Sequence, residues 1–164
     1  MPIVSFASLP AESRVWVFGS DKPLEPNDAA RLLSEVDRFL EQWRAHGAPL
    51  TAARDWRENR FLTVGVDTTQ ESASGCSIDG LFRSLAALEG QLGVRLLAGG
   101  RVFYRDVGGQ VRCVGRDEFS DLAARAEVAD DTPVFDTSVT SAGDWRVRFE
   151  APAREAWVRE LLRV

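Results

Sequence analysis

One stretch of the chain, Ser74-Gly75-Cys76-Ser77-Ile78-Asp79, gathers residue types that can do chemistry. It precedes an apolar pattern with helical spacing, so Cys76 falls beside amides that have no intrahelical partner. Their partial positive charge favours a thiolate and makes the sulfur a better nucleophile. Ser74, Gly75 and Ser77 add hydroxyl and backbone donors suited to an anion or an oxyanion. The only histidine, His46, is the usual type of general base for a thiol, and Asp79 could orient its imidazole. The predicted catalytic residues are thus Cys76, His46 and Asp79, and the predicted ligand-binding residues Ser74, Gly75 and Ser77. The same residues also have a structural use. Ser77 would cap the helix with Ser74 and Gly75 in the turn, Cys76 would pack as a small hydrophobe, and His46 would satisfy helix carbonyls.

The flanking segments must bring these residues together. Arg14-Val15-Trp16-Val17-Phe18-Gly19 has apolar residues on both faces, which predicts a central strand. A helix follows, capped by Asn27, with Leu32, Leu33, Val36, Phe39, Leu40 and Trp43 at spacings of three and four. His46-Gly47 and Pro49 are its predicted stop. Residues 50–57 and 61–67 read as a hairpin turning at Glu58-Asn59, the first strand polar enough to lie at an edge. A second helix is predicted over residues 77–92, ended by Gly93.

Further on, residues 101–105 and 110–115 predict a hairpin about Gly108-Gly109, followed by a short helix over 117–126. Val134-Phe135 and residues 145–149 read as strands, and Pro152 opens a predicted terminal helix bearing Trp157, Leu161 and Leu162. The order β-α-β-β-α-β up to about residue 106 is that of a ferredoxin-like sandwich within an α+β fold, with an added hairpin and C-terminal helix. In that topology the His46 loop and the Cys76 loop share one edge of the sheet. With no repeat or linker visible, the 164 residues are expected to form a single domain.

Composition removes several functional classes. The net charge of −5 disfavours non-specific binding to nucleic acid. No apolar run reaches the roughly 18–20 residues that span a bilayer, and the N-terminus shows no secretory pattern. A cytoplasmic protein without membrane contact is expected, its two cysteines, Cys76 and Cys113, reduced. One histidine and two separated cysteines do not make a metal site, and no cofactor motif occurs. The sole lysine, Lys22, follows no phosphate-binding loop.

Ser13-Arg14-Val15-Trp16-Val17, residues 39–47 (FLEQWRAHG), residues 74–79 and Trp157 together resemble a family of small, uncharacterised bacterial proteins. The likeness spans nearly the whole chain and is sharpest over residues 39–47 and 74–79. Some members are labelled ABC transporter ATPases, but this chain lacks the loop and lysine that such an enzyme needs. The resemblance implies no particular activity or site residues. Three functions stay open from the residues: a module binding a small molecule or a protein at the His46/Cys76 edge, a thiol-dependent hydrolase or acyltransferase, and a phosphate or carboxylate site at the helix start.

Overall fold

The computed structural model describes residues 3–162. The chain is α+β, and its strands form antiparallel sheets. It divides into two compact units, one running to Leu97 and taking in Thr140–Gly143, the other comprising Ala98–Val139 and the residues from Asp144 on.

In the first unit, β1 (Arg14–Gly19), β4 (Ala52–Arg57) and β5 (Phe61–Val66) make a sheet of order β1-β5-β4. Within this order β5 is the central strand, and all six of its residues are buried, whereas β1 exposes Arg14 at its start. Six consecutive apolar or small residues can be buried on both faces only at an inner position, and β5 has a partner on each side. Glu58 and Asn59 have φ of 59° and 54°, as a turn there requires.

Helices α1 (Pro26–Glu41) and α2 (Gly75–Leu92) cover one face of this sheet. Leu32, Val36 and Leu40 of α1 and Leu81, Leu85 and Leu88 of α2 pack with Trp16, Leu62 and Val64 in one core. The cap of α1 is Glu25 rather than Asn27, because Pro26 takes the first helical position, where its missing N–H costs nothing. On the opposite face, a Cβ on Gly65 would stand 2.5 Å from Leu9 Cδ1 and 3.3 Å from the Phe6 ring, so glycine allows that close approach.

His46 and Gly47 do not end α1, which stops at Glu41. They are the two-residue turn of a small hairpin of β2 (Arg44–Ala45) and β3 (Ala48–Pro49). Both have positive φ, 52° and 79°, the signature of a type I′ turn.

The second unit holds a sheet of order β7-β6-β8-β9, from β6 (Arg101–Arg105), β7 (Val111–Gly115), β8 (Pro133–Phe135) and β9 (Glu150–Pro152). The predicted fourth sandwich strand is therefore β6, paired with β7 and β8 and not with β1. Beside β1 runs Thr140–Gly143 instead: Val15 donates to the Thr140 carbonyl and Ala142 to that of Ser13. Helix α3 (Arg116–Ala124) follows β7, and its Phe119 and Leu122 pack with Val102, Tyr104 and Val134.

Residues 145–149 are not a strand but mostly the end of α4 (Ala142–Arg148). Their alternation also carries an i, i+4 pair: Trp145 and Phe149 are buried and stacked at 5.4 Å, while Val147 between them is 74% exposed. The terminal α-helix is replaced by two 3-10 turns, Ala153–Glu155 and Trp157–Leu162, and Pro152 ends β9 by pairing with Pro133.

Candidate functional site

Helix α2 begins earlier than its apolar stripe. Ser74 is the N-cap, and Ser77 is the third helical residue rather than the cap. The two serines form a reciprocal box: the Ser77 amide donates to Ser74 Oγ at 3.1 Å, and the Ser74 amide donates to Ser77 Oγ at 2.6 Å. Ser77 Oγ in turn donates to the Ser74 carbonyl at 2.8 Å, and that carbonyl also accepts the Ile78 amide at 2.9 Å. Both predicted hydroxyls and the amides of Ser77 and Ile78 are thus engaged within the turn. The amides of Gly75 and Cys76 are left as its outward donors.

Cys76 occupies the second helical position with its thiol exposed. Asp79, one residue beyond Ile78, is exposed as well, as is His46 at the tip of its hairpin. Among the described residues no hydrogen bond joins His46 to Cys76 or to Asp79.

The two segments meet through another residue. Trp43 is buried between α1 and β2, and its Nε1 donates to the Ser77 carbonyl at 2.8 Å. Its ring stands edge-on to Trp16 at 5.8 Å and tilted against Phe39 at 5.4 Å. The hairpin carrying His46 starts immediately after this indole, and Cys76 immediately precedes the residue it binds.

Trp16 also lines a groove of about 420 Å³, together with Glu12, Arg14, Thr68, Ala73 and Ile78. The Arg14 guanidinium lies over the Trp16 ring, 5.0 Å from its centroid. Sequence reasoning missed this groove. Arg14 and Trp16 are two apart in a strand, so a shared face was readable. The walls come from residues 68–78 and 140–141, and no local pattern announces that they converge. Trp56 of β4 is half-buried against the helix-covered core. No three His, Cys, Asp or Glu side chains cluster as a metal site among the described residues, and none of their helices is long and apolar enough to cross a membrane.

No family model, curated protein or solved structure matches the chain.

Proposed function

We propose that this chain is a small binding module whose site is the end of the first unit formed by the His46-Gly47 turn and residues 74–79. The buried Trp43–Ser77 hydrogen bond carries this conclusion. It fixes two exposed, polar turns against each other through a rigid aromatic side chain. Pre-set turns on a packed scaffold are what a recognition site needs, because little ordering cost remains to be met on binding. The resemblance to small bacterial proteins is sharpest over these same two segments. We read the first unit as a ferredoxin-like sandwich in which Thr140–Gly143 stands in the place of the fourth strand, supported by its antiparallel bridge from Ser141 to Arg14.

Binding is favoured over catalysis because no hydrogen bond links the exposed Cys76 thiol to His46. The thiol-enzyme alternative draws on the exposure of Cys76 in the first turn of α2. One experiment separates the two. Uniformly 15N-labelled protein is titrated with panels of small carboxylates, phosphates and short peptides. The expected result is a compound that saturably moves the amides of His46, Gly47 and residues 74–79 together. A panel that leaves these amides still, with p-nitrophenyl acetate acylating Cys76, would replace the binding reading with the enzymatic one.

A further inference from the structure

We infer that the groove beside β1 binds a small zwitterion, an α-amino acid with an apolar side chain. The groove presents one cation and one anion, Arg14 and Glu12, beside apolar Ala73 and Ile78. Neither charged side chain has an ion-pair partner among the described residues. Stacking on Trp16, a second residue lining the groove, holds the Arg14 guanidinium in place, leaving its fork of donors to meet a carboxylate. Thr68 Oγ1 donates to the Glu12 carbonyl at 3.5 Å, which ties another lining residue to the one bearing the carboxylate.

The paired charges decide the ligand class. A simple anion attracted to Arg14 would meet Glu12, and a simple cation attracted to Glu12 would meet Arg14. A molecule with a carboxylate and an ammonium on adjacent atoms satisfies both. Its side chain then has Ala73, Ile78 and the Trp16 edge to cover. The volume of about 420 Å³ lies within the ordinary range for small-molecule sites, roughly 300–1,000 Å³.

The inference rests on reading the chain as a binding module, but it does not require His46 or Cys76 in the contact. The test titrates the full-length, 15N-labelled chain with L-leucine, L-leucinamide and N-acetyl-L-leucine, following the Trp16 indole N–H and the amides of Arg14 and Thr68. Leucine should move these signals saturably. Leucinamide lacks the carboxylate and N-acetylleucine the ammonium, so each should bind about tenfold more weakly or worse. Arg14→Gln and Glu12→Gln should each cause a similar loss while leaving the thermal midpoint unchanged, since both side chains are exposed. Arg38→Gln, on the exposed face of α1, should bind leucine as the parent does. The proposal is overturned if leucine gives no saturable shift, if N-acetylleucine binds as well as leucine, or if Glu12→Gln binds normally. Should leucine fail while another compound moves His46 and residues 74–79, the groove is wrong and the binding module stands. Should nothing move either set of signals, both are wrong.

Discussion

Trp43 Nε1 donates a buried 2.8 Å hydrogen bond to the carbonyl of Ser77, 34 residues along the chain, and so joins the end of α1 to the first turn of α2. Replacing Trp43 with Phe keeps an aromatic ring against Trp16 and Phe39 but removes the donor. The expected loss of unfolding free energy is about 1–3 kcal/mol, the range for deleting one partner of a buried hydrogen bond. Urea denaturation measures it. Amide hydrogen exchange should also quicken at His46, Gly47 and residues 75–79, and an unchanged exchange pattern there would show that Trp43 does not couple the two turns.

Ser74 and Ser77 hold the helix start reciprocally, so their deletions should not add. Ser74→Ala removes the acceptor of the Ser77 amide and should cost about 1 kcal/mol, as N-cap losses do. Ser77→Ala removes both the acceptor of the Ser74 amide and a donor to the Ser74 carbonyl. In the double variant the second deletion acts on a box already broken, so its cost should fall short of the sum of the single ones. Strict additivity in urea midpoints would mean that the two hydroxyls cap independently.

Signals that lie within one element were legible in the sequence. The stripe Leu81, Leu85, Leu88 marked α2, Gly93 with φ of 68° stopped it, and Glu58-Asn59 marked the β4–β5 turn. Signals that two elements share were not. Trp145, Val147 and Phe149 alternate like a strand, yet the i, i+4 pair of Trp145 and Phe149 is what becomes buried. His46-Gly47 suits a helix stop and a type I′ hairpin equally, and only the pairing of Arg44 with Pro49 decides between them. The residues 101–105 read correctly as a strand, but which edge they join depends on β8, some 30 residues further on. At the candidate site, the serines and Cys76 were legible as a helix start. Trp43 was legible only as a core residue, because its partner carbonyl is distant in sequence.

Gly65 and Leu9 define how closely the face of β5 turned away from α1 and α2 is approached. A Cβ at position 65 would meet Leu9 Cδ1 at 2.5 Å, and Leu9 is only 3% exposed, with little room to turn away. Gly65→Ala should therefore destabilise by about 1–3 kcal/mol, the usual cost of overpacking. Leu9→Ala alone should cost about 2–5 kcal/mol through its cavity. In the double variant the added methyl enters that cavity, so the combined loss should be smaller than the sum. A Gly65→Ala protein as stable as the parent would mean that Leu9 repacks freely.

Asp106 organises the β6–β7 turn: its carboxylate accepts the Gly108 and Gln110 amides at 2.9 Å each and Arg112 Nε at 2.7 Å. The Arg112 hydrogen bond foremost, then the backbone amides, hold its pKa below the ordinary aspartate value of about 3.9. A carboxyl with a lower pKa in the folded chain than in the unfolded one contributes stability above the unfolded value. That contribution fades as pH falls through the folded one. A carboxyl-carbon NMR titration should place the Asp106 midpoint below that of an unstructured peptide, and Arg112→Gln should raise it. Asp106→Asn should be less stable than the parent at neutral pH, with the gap closing on acidification through the parent's Asp106 midpoint. A gap that stays constant across that range would show that Asp106 supports the turn by shape alone, without its charge.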